Sequence, residues 1–163
     1  MVPYQISSES RPAVSTVVRT ATLSVDDMTA WLAETYIRVT ASLAAQGHHP
    51  AGPPFARYHQ IGIGRFAVEA GFPVAEPLES RSDQQLSGLP GGMVAVTMHR
   101  GSFANIAPGY QAVAEWITAH GCQPSGDPWE VYFSDPKTQP DPVLWRTQIV
   151  QPYRTRVYSP APA

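Results

Sequence analysis

The chain has 163 residues, 43% of them apolar, and a formal net charge of −2. That is one domain's length with enough apolar surface for a core, which excludes an intrinsically disordered protein, and the absence of any basic cluster argues against a nucleic-acid-binding surface. A single cysteine, Cys122, excludes an intrachain disulfide and a Cys-rich zinc site, and no run of about 18 apolar residues is present to span a membrane.

Residues 1–12 are polar, lack the apolar stretch of a signal peptide and read as a loose end, as does the tail Ser159–Ala163. The expected location is the cytoplasm. Residues 14–23 are β-branched and alternating, the pattern of a strand. Ser24 or Asp26 then caps a helix running to about Gln46, with Met28, Trp31, Leu32, Ile37, Val39 and Leu43 at roughly helical spacing. Gly47 ends it and Pro50 to Pro54 make a rigid loop. Phe55–Ile61 and Arg65–Val74 follow as a hairpin turned through Gly62 and Gly64. Residues 75–91 form a polar connector. Then the order recurs: a strand at Met93–His99, a helix at Ile106–His120 closed by Gly121, a strand at Trp129–Ser134, a Pro-rich turn at Asp135–Pro142, and a strand at Val143–Val150.

The recurrence is written into the residues themselves. At a constant offset of 74 (124 less 50), Pro50, Gly52, Pro54, Phe55 and Tyr58 match Pro124, Gly126, Pro128, Trp129 and Tyr132. The same offset carries Tyr36 to Tyr110 and Gly47 to Gly121. Toward the ends of the halves it becomes 79, matching Phe66 to Trp145 and Phe72-Pro73 to Gln151-Pro152. The expectation is a single domain over 1–163 made of two β-α-β-β repeats, about 14–74 and 92–154, joined by 75–91. The fold class is α+β, one mainly antiparallel sheet with both helices on one face and a ligand cleft on the other.

One matched pair differs in charge: Ala56 is answered by Glu130. Alternation in the strand puts Glu130, Tyr132 and Ser134 on one face and Trp129, Val131 and Phe133 on the other. The apolar set is expected against the helices, leaving Glu130 and Tyr132 on the far face with Ala56 and Tyr58. A lone strand glutamate is ordinarily a solvated side chain. Aromatic neighbours and an alanine mate favour a carboxylate in an apolar hollow, which either holds its proton or waits for a cation. A flat, apolar, positively charged ligand would supply that cation and stack on the rings. Tyr58, Tyr132, Phe66 and Trp145 are candidate walls, and Phe103 or Tyr110 stands at the mouth. His48-His49 lacks metal-ligand spacing, so no metal and no cofactor is expected. Ile61-Gly62-Ile63-Gly64 reads as a turn, and Gly101-Ser102 as a turn and cap.

The stretches 92–103 (GMVAVTMHRGSF), 110–117 (YQAVAEWI), 129–136 (WEVYFSDP) and 68–74 (VEAGFPV) carry a resemblance to the GyrI-like small-molecule-binding family, also called the bacterial transcription-activator effector-binding domain, over about residues 14–154. The resemblance implies the duplicated fold and a site for hydrophobic, often cationic, drug-like compounds. It places the family's pocket glutamate on Glu130 and its aromatic residues on Tyr58, Tyr110, Tyr132 and Trp145. About 13 residues precede the first strand, too few for a DNA-binding module, so a stand-alone member with no direct nucleic-acid contact is expected.

Three functions follow as expectations. The first is a binding module for hydrophobic or cationic compounds. The second, implied by some stand-alone relatives, is a hydrolase of strained cyclopropane-bearing natural products with Glu130 and Tyr132 as catalytic groups. The third is an interaction module that inhibits gyrase, disfavoured because the acidic residues are scattered. Sequence does not give the oligomeric state.

Overall fold

The computed structural model describes residues 3–79, 81 and 84–156. Along the chain these form β1 (Ser7–Arg11), β2 (Val14–Ser24), α1 (Val25–Ala45), β3 (Phe55–Gly62), β4 (Arg65–Pro73), β5 (Gln85–Leu89), β6 (Gly92–Arg100), α2 (Ala107–Ala119), β7 (Cys122–Pro124), β8 (Trp129–Tyr132) and β9 (Arg146–Thr155). Short 3-10 turns stand at Phe103–Asn105 and Pro142–Leu144. The sheet order is β1-β6-β9-β8-β3-β4-β2-β5, with β7 paired to β9, and every pairing is antiparallel. Both helices pack on one face, giving the α+β architecture. No helix among the described residues is long and apolar enough to cross a membrane.

Alternation sorts the strands' side chains. Val17 joins Val39 and Leu43 of α1, while Val18 joins Phe55, Val94, Val96, Trp129 and Val150 on the helix-free face. Those last residues come from β2, β3, β6, β8 and β9. Their meeting in one cluster shows that the sheet curls, so its helix-free face closes over a core of its own. Gly71 makes room for that curl, since a Cβ there would sit 1.9 Å from the Val17 carbonyl oxygen on the neighbouring strand.

The facial expectation for β8 is corrected. Glu130 and Tyr132 face the helices, and Trp129, Val131 and Phe133 lie on the helix-free face. Trp129 has no need of a helix because the curled sheet buries it, whereas Phe133 stays 43% exposed. The carboxylate does need donors, and a helix delivers one. The candidate cleft expected opposite the helices therefore does not hold the carboxylate.

Three strands went unforeseen. β1 is a polar edge strand, Ser-Ser-Glu-Ser-Arg, with no apolar alternation to announce it, and it pairs with β6 inside the expected loose end. β5 lies in the expected connector and pairs with β2. β7 is three residues long. The last strand starts at Arg146, not Val143, because Asp141 caps the turn at Pro142–Leu144 by accepting from the Val143 N–H at 3.1 Å, and it continues to Thr155. The tail Ser159–Ala163 lies outside the described residues.

Candidate functional site

The centre of the sheet is the ladder between β3 and β8, where Ala56 lies directly opposite Glu130. The two positions that the 74-residue offset matches are thus cross-strand neighbours. Alanine's small side chain leaves the space over that pair to the carboxylate. The same geometry brings Tyr58 and Tyr132 together, their hydroxyl oxygens 2.5 Å apart.

Glu130 is only 9% exposed and its hydrogen bonds come from tyrosines. The Tyr132 hydroxyl donates to Oε1 at 3.0 Å, and the Tyr110 hydroxyl donates to Oε2. With the Tyr132 hydrogen committed to Glu130, Tyr58 is the donor in the Tyr58–Tyr132 pair. The result is a chain of hydroxyls converging on one carboxyl group from β3, β8 and α2. Gly109 lets α2 come close enough, because a Cβ there would lie 2.8 Å from Ile149 Cδ1 and 3.1 Å from the Tyr4 ring. The following residue, Tyr110, then reaches the sheet. Tyr36 of α1 joins from the other side, donating to the Phe55 carbonyl at 2.8 Å with its ring edge-on to Tyr132.

Burial raises the Glu130 pKa above the usual carboxylate range, because the charged form loses its hydration. The hydrogen bonds from Tyr110 and Tyr132 act the other way, and so does His99 whenever it is protonated, but burial dominates. The tyrosines are pushed up, first by their own burial and then by the Glu130 charge at Tyr110 and Tyr58, so they remain neutral donors. Among the described residues, neither lysine nor arginine forms an ion pair with Glu130.

Phe103, 37% exposed on its 3-10 turn, covers this cluster. Its ring lies 5.6 Å from Tyr132 and 5.1 Å from Trp145, whose indole N–H donates to the Gln139 carbonyl at 2.6 Å. Phe66 packs edge-on to Tyr58 at 6.1 Å, on the flank nearer α1. The expected residues thus fall into a hydroxyl cluster (Glu130, Tyr58, Tyr110, Tyr132), a cover (Phe103, Trp145) and a flank (Phe66). Glu130 lines neither of two surface grooves, of about 400 and 260 Å³, on the described residues.

A family model for the GyrI-like small molecule binding domain matches residues 26–154. The chain belongs to that family. Among solved structures, this GyrI-like chain is similar to the C-terminal domain of EcmrR, at 17% identity with a TM-score of 0.75, covering 94% of this chain and 99% of that one. It is also similar to a hydrolase from Listeria innocua, at 13% identity and TM-score 0.66, covering 94% of each chain. A third is SAV2435 bound to tetraphenylphosphonium, at 14% identity and TM-score 0.60, again covering 94% of each. At these identities the likeness is one of fold. No curated protein matches the sequence significantly.

Sequence reasoning missed three residues at this candidate site. Tyr36 was visible as the offset partner of Tyr110 and went unused. His99, 2% exposed, was read as the end of a strand. Its Nε2 bonds the Ser102 carbonyl at 2.8 Å, which fixes the proton there, and in the neutral ring Nδ1 accepts from the Tyr4 hydroxyl at 2.7 Å. Thr147, opposite both His99 and Tyr132 in the ladders, is 1% exposed, and its hydroxyl has no hydrogen-bond partner among the described residues. Nothing in the local sequence distinguishes it from an ordinary strand threonine.

Proposed function

We propose that this protein binds hydrophobic, cationic small molecules, with Glu130 as the anchor for the positive charge. The observation carrying this reading is a buried carboxyl group held by neutral hydroxyls with no ion-pair partner from lysine or arginine among the described residues. Such a group is costly to ionise alone and gains most when a desolvated cation arrives. Tyr58, Tyr110, Tyr132, Phe103 and Trp145 offer ring faces for the apolar part of the ligand. The tetraphenylphosphonium bound by SAV2435, an apolar cation on the same fold, supports the choice of class. Phe103 packs edge-on to Tyr132, so a ligand entering on that side would have to displace its 3-10 turn. Sequestration or sensing of such compounds are the roles the reading allows.

The direct test is titration with tetraphenylphosphonium, followed by tryptophan fluorescence. Replacing Glu130 with Gln keeps the shape and removes the charge, so affinity is expected to fall by about 1–3 kcal/mol, the scale of a charge-assisted contact in a desolvated site. Equal affinity of the two proteins would overturn the reading.

A second reading, hydrolysis of a strained or activated electrophile such as a cyclopropane-bearing natural product, rests on the hydroxyl chain. A carboxyl group with a raised pKa, linked through Tyr132 to Tyr58, can pass a proton in either direction while directing water at the ligand. Fold neighbours described as hydrolases support weighing it. Turnover at low protein-to-substrate ratio, lost in Glu130→Gln with binding retained, separates it from simple binding.

A further inference from the structure

We propose that a polar groove over β2, β4 and β3, on the helix-free face, takes a small zwitterion, its carboxylate on Arg57 and its ammonium on Glu69. The groove has a volume of about 400 Å³, inside the ~300–1,000 Å³ range of small-ligand sites. Alternation sets its lining. Val18 and Phe55 belong to the core on this face, so Thr20 and Arg57, two residues further along their strands, share it. Glu69 is the cross-strand partner of both. His59, Asp127 and Thr22 also line the groove.

Arg57 and Glu69 carry opposite charges directly across a ladder, an arrangement that ordinarily pairs. Here they are drawn apart. The Ser87 hydroxyl, on β5 and away from β3, donates to Glu69 Oε1 at 2.5 Å. The Arg57 guanidinium lies toward the opposite side, where a Cβ on Gly126, just before β8, would stand 3.7 Å from Nη2. No ion pair joins Arg57 or Glu69 to any group among the described residues. Asp127 does not supply one, because it accepts from the His59 Nδ1–H at 2.8 Å. Arg57 Nε is buried without a hydrogen-bond partner among the described residues, so that edge of the guanidinium has lost water and gained no acceptor.

The groove therefore has an unpaired guanidinium on one wall and a carboxylate with Oε2 unengaged on the other, both half-buried. A lone anion would pair with Arg57 and be repelled by Glu69, and a lone cation the reverse. A molecule bearing both charges satisfies both walls, and a carboxylate is the group a guanidinium pairs with best. This inference stands whether or not the Glu130 reading holds, because Arg57 and Glu69 lie on the other face of the sheet.

The experiment is calorimetric titration with 6-aminohexanoate, hexanoate and hexylamine, which share a chain length and differ in charge. Wild-type protein and the variants Arg57→Gln, Glu69→Gln and Glu130→Gln are compared, with folding checked by circular dichroism. Wild type is expected to bind the zwitterion roughly two- to fivefold more tightly than hexanoate at this groove, the range of one partly exposed ion pair, and Glu130→Gln should leave that affinity unchanged. In the Glu130→Gln protein, where the other candidate cation site has lost its charge, hexylamine should be weaker than the zwitterion by a similar factor. Arg57→Gln should lower zwitterion binding to the level of hexylamine, and Glu69→Gln to that of hexanoate. Absence of zwitterion binding in wild type, or a preference over hexanoate that survives Glu69→Gln, overturns the proposal. So does zwitterion binding that is unaffected by Arg57→Gln or lost in Glu130→Gln. If one groove variant does not fold, the other decides by itself.

Discussion

Trp129 and Glu130 are consecutive, yet they belong to opposite regimes. Trp129 sits 2% exposed among valines and Phe55, where burial is favourable without any partner. Glu130 is nearly as buried, and its burial is unfavourable until tyrosines, and by our proposal a cation, compensate it. A strand's two-residue period lets one short segment do both jobs. The helix-free face of β8 joins β2, β3, β6 and β9 in a folded core, while the helix face holds polar groups that a protein selected only for stability would not keep.

The contrast breaks first if the helix-free face is not the core. Trp129→Ala should lose about 3–5 kcal/mol in urea denaturation, the usual range for deleting a buried large aromatic side chain. A loss below about 1 kcal/mol would mean the cluster around it collapses to fill the space. On the other face, Tyr110→Phe removes a donor to the carboxyl group without changing ring packing. At alkaline pH, with Glu130 ionised, it should lose about 1.5–3 kcal/mol, the scale of a hydrogen bond to a charged group. An unchanged denaturation midpoint there would show that Tyr110 contributes position and not charge stabilisation.

The same contrast explains what was legible beforehand. The long elements were, because β-branched alternation in 14–23 and helical spacing in α1 are local patterns. Glu130 stood out because the offset set it against Ala56, and the ladder places those two residues face to face. The direction of β8 was not legible. Assigning the apolar set to the helices ignores that a curled sheet can bury its own face, and curl depends on long-range features such as the Gly71 approach. β1 and β5 were invisible because edge strands need no apolar alternation; they take their order from a neighbour's backbone. Thr147 and His99 become site residues only through pairing in the ladders with β8 and β9.

A pH series sharpens the comparison. The Glu130 pKa in the folded chain lies above its value in the unfolded chain, so the folded state holds that proton more tightly. Its contribution to stability is fully present below the unfolded carboxylate pKa and is lost as pH rises through the folded value, at about 1.4 kcal/mol per unit of difference. Glu130→Gln should flatten that part of the stability profile. Affinity for an apolar cation should run oppositely in wild type, rising with pH over the same window as the carboxylate forms. Superimposable stability profiles for the two proteins would remove Glu130 from the account of the helix face.

The smallest expected effect is a gain. The buried Thr147 hydroxyl lacks a partner among the described residues, and leaving a polar group in that state costs about 1–3 kcal/mol. Valine has nearly the same outline and nothing to satisfy. Thr147→Val should therefore stabilise the fold by about 1 kcal/mol in the same denaturation assay, whereas truncating an apolar neighbour on the other face can only destabilise. A loss instead would show that the hydroxyl is hydrogen-bonded in solution, by an ordered water wedged beside Tyr132 and His99. Water in that position would itself make the helix face a polar chamber, and would give the hydrolytic reading the nucleophile it requires.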